Sequence, residues 1–370
     1  MSTFKEVLDK ILAKRATGDR GIPFQFDDRL NKYLTGIKQG KYYAVAGRSS
    51  SGKRSFVDLH FVLNTFIWWA NQSEDQRPKI KILYFNMDKS QDTKIQKWLT
   101  TFMFMYHGKL LDIPTLMNWP GKLYDLDTET IQQIQQAQGF FDLMFESGFL
   151  TMYNGRTNPT GIKANIVSYF SEVGNLYHEN HSTWFEYDEG HENQITLVII
   201  DNIRKLKVES KKGTYYNEKE LNQKLSSYLS EMKEIYKATP IIIIPAEDIG
   251  GHDSKSPSIK EFGNYYNDID VALHLNNPSR YHNQSGRYGE YIINDFRDST
   301  GIHRLRICSI LKNAEGRDST WIPLSFFPEN GYIMVTPDAN EAQYIDHINY
   351  LKQLKNNLNE SKHTSNAESE

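Results

Sequence analysis

The feature that most constrains this chain is a short segment, rich in glycine and serine, between a predicted strand and a predicted helix. Residues 47–53 read GRSSSGK and fit the pattern G-x-x-x-x-G-K; the strand KYYAVAG leads into them and an amphipathic helix follows. Glycine lets the backbone curl so that successive N–H groups face an anion, and a lysine adds a mobile positive charge. The alternative is an ordinary turn that contains a lysine, but the flanking strand and helix favour a phosphate loop. The predicted nucleotide-binding residues are Gly47, Arg48, Ser49, Ser50, Ser51, Gly52, Lys53, Arg54 and Ser55.

Apolar strands alternate with helices along most of the chain. Strand-like runs occur at residues 81–85, 149–153, 195–200 and 240–244, and helical patterns at residues 56–70, 93–106, 160–176 and 218–237. Continuous apolar strands separated by helices predict an α/β fold, with a mostly parallel sheet covered by helices on both faces. Later runs at residues 271–275, 304–311 and 321–327 look hairpin-like and predict an antiparallel extension at one edge. The acidic segment 185–193 is predicted to be a solvated loop.

Composition and patterning divide the chain into three parts. Residues 1–20 carry a short amphipathic helix, residues 21–337 form the core domain, and residues 338–370 form a helix followed by a polar tail expected to be disordered. The single cysteine, Cys308, has no partner within the chain and is predicted to be a buried thiol in a reducing compartment. No apolar run reaches the roughly 18 residues of a membrane helix, so we expect a cytoplasmic protein.

Net charge argues against a nucleic-acid-binding surface that covers the whole molecule. The chain has 43 basic and 46 acidic residues, a net charge of −3. Any nucleic-acid site must therefore be local. Local basic clusters follow residue 201 and lie near residue 255, although such clusters are more often plain solvated surface.

Two aspartates stand where strands end. Asp201 ends the run LVII, as expected for a Walker B aspartate that holds Mg²⁺ at the carboxyl edge of the sheet; the alternative is an ordinary turn. Asp88 follows ILYFNM and is a candidate for orienting or deprotonating an attacking water, or else a helix N-cap. The residue after Lys53 is normally Ser or Thr, a ligand of Mg²⁺, but here it is Arg54. Ser55 is next in line, so the candidate metal residues are Asp201 and Ser55.

Several blocks together resemble the helicase domain of DnaB-type replicative DNA helicases. In chain order they include GIPFQFDDRLNKYLTGIKQGKYYAVAGRSSSGKRSF, YFNMDKS, LTMYNGRTNPTGIKANI, LVIIDNIRKL, SIKEFGNYYNDIDVALHL and ICSILKNAEGRDSTWIPLSFFPENGYI. The match spans roughly residues 21–333. It implies a RecA-like core that binds ATP and Mg²⁺, with Lys53 and Asp88 in catalytic positions. In the last block Lys312, and Arg317 if it replaces the family's arginine, would act across a subunit interface.

The same resemblance implies partners. It suggests a homo-oligomer, in the family a hexameric ring, that acts on single-stranded DNA and works with a primase or helicase loader; the short N-terminal segment suggests a phage-encoded protein in the host cytoplasm. The candidate DNA-binding residues are Arg204, Lys205, Lys207, Lys211, Lys212 and Lys255.

Departures from the family pattern cluster at catalytic positions. Arg54 replaces a metal-ligating hydroxyl, Asp88 a glutamate, Ala246 a phosphate sensor and Ala314 an arginine. An arginine finger alone can be worth about a thousandfold in rate. Three hypotheses therefore stand: an ATP-driven DNA helicase, which we prefer; a ring protein that binds nucleotide and DNA without efficient hydrolysis; and a recombinase-like filament protein.

Overall fold

A nine-stranded mixed sheet forms the centre of the computed structural model. The structure describes residues 21–211, 213–246, 262–263, 265–281 and 286–354, together with residues 4, 5, 8, 9 and 12. The strand order is β15-β14-β13-β10-β1-β9-β6-β2-β3. The six strands from β10 to β3 run parallel, and β13, β14 and β15 continue the sheet antiparallel at one edge. The predicted α/β class is therefore confirmed.

The strands of this sheet are β1 (Tyr43–Gly47), β2 (Ile80–Asn86), β3 (Leu150–Asn154), β6 (Ile195–Asp201), β9 (Thr239–Pro245), β10 (Val271–Asn276), β13 (Leu305–Asn313), β14 (Thr320–Phe327) and β15 (Tyr332–Val335). Three small hairpins pair β4 (Gly174–Glu179) with β5 (Ser182–Tyr187), β7 (Ser210–Lys211) with β8 (Thr214–Tyr215), and β11 (Arg287–Tyr288) with β12 (Tyr291–Ile292).

Helices cover the sheet. They are α1 (Asp28–Leu34), α2 (Lys53–Val57), α3 (Asn64–Ala70), α4 (Gln91–His107), α5 (Ile113–Leu116), α6 (Thr128–Gln136), α7 (Gln138–Glu146), α8 (Pro159–Val173), α9 (Glu218–Tyr236), α10 (Pro278–Tyr281) and α11 (Gln343–Gln353). A π-helical segment, Asp58–Leu63, joins α2 to α3, so one continuous helix follows the phosphate loop. π-Segments within helices often lie at functional sites.

The two faces of the sheet bury alternate residues of its strands. In β1, Val45 packs with the helix that follows the phosphate loop and with α4, whereas Ala44 and Ala46 pack with α8 and α9. Because successive strand residues point to opposite faces, a parallel strand buried on both sides has a continuous apolar sequence. This is why the central runs could be recognised in the sequence.

Two local expectations are corrected, and one group of helices had not been predicted. β10 was expected in the antiparallel extension, and it does pair antiparallel with β13, but on its other side it lies parallel to β1 and so belongs to the parallel part of the sheet. Residues 185–187 are not loop but the end of β5, where Phe185 packs on Phe170 with ring centroids 5.2 Å apart. The helices between residues 107 and 149 were not predicted, since their amphipathic pattern is short and broken.

Other expectations can be compared directly. Cys308 is fully buried, as predicted. Residues 4, 5, 8, 9 and 12 are helical, and Phe4 is 82% exposed. α11 packs through Tyr344, Ile348 and Leu351 onto a separate apolar cluster beside the antiparallel strands. Among the residues described here, none of the helices has the length and apolar character needed to cross a membrane.

Candidate nucleotide-binding site

The phosphate loop leaves the carboxyl end of β1, between β9 and β10 in the sheet. Ser50 and Gly52 both have positive φ, 61° and 88°, which curls the backbone before α2. A Cβ atom at Gly47 would lie 2.5 Å from Ser51 Oγ and 2.6 Å from the carbonyl oxygen of Leu275, so only glycine fits there. Gly52 begins the helix without any side-chain cap, which leaves N–H groups of the first turn available to an anion.

Lys53 and Ser51 are the two side chains of the loop that could contact an anion. The Nζ atom of Lys53 donates only to the carbonyl oxygen of Arg48, at 3.2 Å, and has no carboxylate partner among the described residues. Burial, followed by the charges of Arg54 and Arg204, lowers the pKa of Lys53 to about 8. Ser51 is 1% exposed and its Oγ has no hydrogen-bond partner within the described part of the chain. A buried hydroxyl without a partner costs free energy, and a bound anion would supply the missing contact.

Asp201 lies at the end of β6, beside Asn86 at the end of β2, and is fully buried. Its Oδ1 atom accepts from Arg54 Nε at 2.8 Å, and its Oδ2 atom accepts from Lys94 Nζ at 2.9 Å. Burial opposes its charge, but Lys94 and Arg54 more than offset burial and hold the pKa of Asp201 below its usual value. Asn202, not Asp201, caps the turn that follows, so the turn alternative does not describe Asp201.

A buried ion cluster surrounds this aspartate. Lys94 on α4 is 2% exposed and contacts Asp58 at 2.9 Å as well as Asp201 and the Tyr84 hydroxyl, 2.7 Å away. Tyr84 donates to Asp58 at 2.7 Å. Burial opposes the charge of Lys94, yet its two carboxylate partners raise its pKa above the usual value. The sequence prediction missed Lys94; its position one turn before the buried Trp98, on the apolar face of α4, was the available signal.

Asp88 is exposed at the surface and contacts Arg54. The Nη2 atom of Arg54 lies 2.8 Å from Asp88 Oδ2, and Lys205 Nζ lies 3.8 Å from Asp88 Oδ1. The N-cap of α4 is Ser90, which accepts from the N–H of Thr93 at 3.2 Å, so Asp88 is not the helix cap. Its role as a catalytic base stays a prediction.

The residues present are a poor match for Mg²⁺. This ion requires oxygen ligands at about 2.0–2.1 Å in octahedral geometry, often through water. Both oxygens of Asp201 are already held by protein cations, and the side chain of Ser55 lies against the turn at Gly331. Within the described ranges no group of three or more His, Cys, Asp or Glu side chains is arranged to hold a metal ion. The assignment of Asp201 and Ser55 to Mg²⁺ stays a prediction that this geometry does not favour.

Lys312 and Arg317 lie at the amino end of the parallel strands, opposite the carboxyl end where Lys53 lies. Lys312 stands beside Ala272 near the start of β10, and Arg317 is in the turn between β13 and β14. Lys312 Nζ donates to the Tyr266 carbonyl oxygen at 2.9 Å and lies over the ring of that residue. These two cations are therefore separated from the phosphate loop of their own chain, and any action on a nucleotide would have to be on another copy.

The predicted DNA-binding residues do not form one group. Arg204 and Lys205 belong to a 3-10 turn directly after Asp201 and lie at the nucleotide site, where they act on Lys53 and Asp88 respectively. Lys207 is exposed on the following loop, and the backbone of Lys211 forms β7. The remaining two candidates, Lys212 and Lys255, lie outside the described residues.

Two of the departures have a visible consequence. The N–H of Ala246 donates to the carbonyl oxygen of Gly47 at 3.0 Å, so residue 246 lies at the phosphate loop but offers no polar side chain to a phosphate. Ala314, on the distant β13–β14 turn, similarly has no charge to contribute. Residues 247 and 248, the acids that follow in the sequence, lie outside the described part of the chain.

Solved structures identify what this arrangement resembles. The ATPase domain of G40P aligns with a TM-score of 0.64 and 15% identity, over 91% of this chain and 100% of that one. A structure of a DnaB-like replicative helicase and its interactions with primase aligns with a TM-score of 0.60 and 14% identity, over 90% of this chain and 67% of that one. The fold is that of a DnaB-type helicase ATPase domain. No protein-family model matches the sequence, and no curated protein sequence matches it.

Proposed function

We propose that this chain is the nucleotide-binding motor domain of a DnaB-like replicative DNA helicase, which uses ATP to move along single-stranded DNA and separate the duplex. The observation that carries the proposal is the phosphate loop at the carboxyl end of β1, with Lys53 in the first turn of the following helix and Asp201 at the end of β6, in a fold of this type. In open α/β sheets, ligands bind at this edge, where strand connections diverge to opposite sides.

The proposed assembly is a homo-oligomeric ring, with six subunits as the expected number. The separation of Lys312 and Arg317 from Lys53 supports a head-to-tail arrangement, in which the β13–β14 turn of one copy approaches the phosphate loop of the next. Single-stranded DNA is the proposed substrate, with Lys207 and Lys211 as phosphate contacts. A primase or loader as partner, and a cytoplasmic location, stay predictions.

A second candidate function rests on the ion cluster. Arg54 and Lys94 engage both oxygens of Asp201, and Ala246 supplies no phosphate sensor. These contacts favour a ring protein that binds nucleotide and DNA but hydrolyses ATP slowly. The recombinase-like filament remains the third candidate, because it uses the same core with different interfaces.

Phosphate release by the wild type and by Lys53→Ala, measured with and without single-stranded DNA, separates the first two candidates. We expect DNA-stimulated ATP hydrolysis that Lys53→Ala abolishes, because the loop then lacks its cation. Nucleotide binding without Lys53-dependent phosphate release would instead support the second candidate. Absence of nucleotide binding by the wild type would reject both, and filaments rather than rings on DNA in electron micrographs would support the third.

A further inference from the structure

We infer that this site holds the phosphates of a nucleoside triphosphate with protein cations in place of a divalent metal ion, with Arg54 as the residue that substitutes for the metal. The inference rests on the proposed nucleotide binding and concerns how the phosphates are neutralised. The ligand is then a nucleoside triphosphate that carries no divalent metal ion.

Protein cations already occupy the carboxylate that would orient the metal. Arg54 Nε and Lys94 Nζ lie 2.8 and 2.9 Å from the two oxygens of Asp201, and the Tyr84 hydroxyl oxygen lies 3.1 Å from the second oxygen. A divalent cation placed beside this carboxylate would lie close to two positive charges and would displace one of them from a buried ion pair. The Lys94 side chain is 2% exposed, so the displaced charge would be one that is buried in the protein.

The carboxylates at the site are already neutralised by protein cations. Three carboxylates, those of Asp58, Asp88 and Asp201, are each in contact with a lysine or arginine. The same cations therefore neutralise the acids without a metal. Lys53 is an additional cation with no carboxylate partner among the described residues. Counting the described residues alone, the cradle is thus positive before any ion binds, which favours a polyphosphate directly.

The geometry of Arg54 leaves it a donor for phosphate in addition to its contacts with the acids. It follows Lys53 in the first turn of α2, and its side chain is 31% exposed although it contacts both Asp201 and Asp88. Nε and Nη2 make those contacts, whereas Nη1 has no partner among the described residues. A guanidinium carries five N–H donors in a fixed plane and suits phosphate oxygens. Arg54 can therefore bind the acids and an outer phosphate at the same time.

The decisive experiment compares ATP binding to the full-length wild type in excess EDTA and in excess Mg²⁺, by titration calorimetry. We expect the affinity in EDTA to equal or exceed that in Mg²⁺, because the metal competes for the free nucleotide. Binding that appears only with Mg²⁺ would overturn the inference while leaving nucleotide binding intact. No binding under either condition would instead reject the proposed function.

A substitution provides the converse test. Arg54→Thr removes the guanidinium and supplies a hydroxyl of the kind that ligates Mg²⁺. We expect its ATP affinity in EDTA to fall at least about tenfold, and Mg²⁺ to restore part of the loss. The matched control is Arg29→Thr, which also removes an arginine with two carboxylate partners, Asp338 and Glu341, but far from the loop; its ATP affinity should not change.

Folding of the variants is checked by thermal melting. If Arg54→Thr is unfolded, Arg54→Lys keeps a positive charge but lacks the fork of N–H donors, so its ATP affinity in EDTA should still fall, and an unchanged affinity would refute the role of the guanidinium. Equal ATP affinity of Arg54→Thr and wild type in EDTA would refute the role of Arg54.

Discussion

Lys94→Met tests the buried ion cluster, because it removes the one positive charge between two buried carboxylates. Lys94 and Asp201 are 2% and 1% exposed, and Asp58 is 7% exposed. Removing one partner of a buried ion pair costs about 3–5 kcal/mol, and Lys94 serves two partners, so the upper half of that range is expected. Methionine preserves most of the side-chain volume, which keeps the cavity contribution small. At about 1.3 °C per kcal/mol for a chain of 370 residues, the melting temperature should fall by about 5–6 °C.

The measurement is thermal and urea unfolding followed by circular dichroism. Lys97→Met is the matched control, since Lys97 lies on the same helix but donates only to the backbone oxygens of Pro328 and Glu329, at 2.8 and 2.6 Å. Losing those bonds should cost about 1–3 kcal/mol and leave no carboxylate unpaired. The double variant Lys94→Met with Asp58→Asn removes one of the stranded carboxylates and should recover part of the loss.

The pH dependence of the free energy of unfolding tests the charge of the cluster independently. In the wild type the pKa of Asp201 is below its usual 3.8 and that of Lys94 is above its usual 10.5. The contribution of Asp201 is therefore lost only as pH falls below about 3.8, and that of Lys94 only as pH rises above about 10.5, so both are constant between pH 5 and 8. Without Lys94, a buried carboxyl gains by binding a proton, so the deficit of the variant should shrink from pH 8 to pH 5. A deficit under about 1 kcal/mol, or one equal at both pH values, would refute a charged cluster.

Three further predictions concern the loop and a second buried ion pair. Gly47→Ala should destabilise the protein by about 1–3 kcal/mol in thermal unfolding and abolish ATP binding, because the added Cβ has no room. The control is Gly139→Ala within α7, where the added Cβ meets open space and should stabilise the protein by up to about 1 kcal/mol. ATP affinity should fall about tenfold between pH 7 and pH 9 as Lys53 loses its proton, with its pKa at about 8, and Lys53→Arg should flatten that titration. Arg304→Lys should lower stability by at least about 2 kcal/mol in urea unfolding, since a lysine cannot reproduce the paired contacts of this buried guanidinium.

Each of these three predictions has its own contradicting result. Normal ATP binding by Gly47→Ala would show that the loop does not need the close approach at that glycine. A wild-type affinity that is constant from pH 7 to pH 9 would remove Lys53 from the set of titrating ligands. Unchanged stability of Arg304→Lys would mean that one cation serves the site as well as another.

Much of the fold could be predicted because it depends on local patterns. The continuous apolar strands, the glycines at 47 and 52 and the acid at the end of LVII all express constraints between close neighbours in sequence. The partner of that acid could not be predicted in this way. Arg54 reaches Asp201 across 147 residues of sequence and Lys94 reaches it across 107, so their contacts depend on the order of strands in the sheet.

The direction of strand pairing and a masked alternation explain where the structure differs from the sequence prediction. β10 had the same apolar pattern whether it paired parallel or antiparallel, because periodicity does not encode direction. Phe185 and Tyr187 were hidden by the acids around them, although their alternation was that of a strand.

The position of the β13–β14 turn allows a genetic test of assembly. Lys312 stands about 10 Å along the strands and about 10 Å across two strand spacings from Gly47, too far to serve the loop of its own chain. If that turn completes a neighbour's site, chains carrying Lys53→Ala and chains carrying Lys312→Ala are each inactive alone but complement one another. In an equal mixture about a quarter of the contacts pair an intact loop with an intact turn, and activity should return to about that fraction.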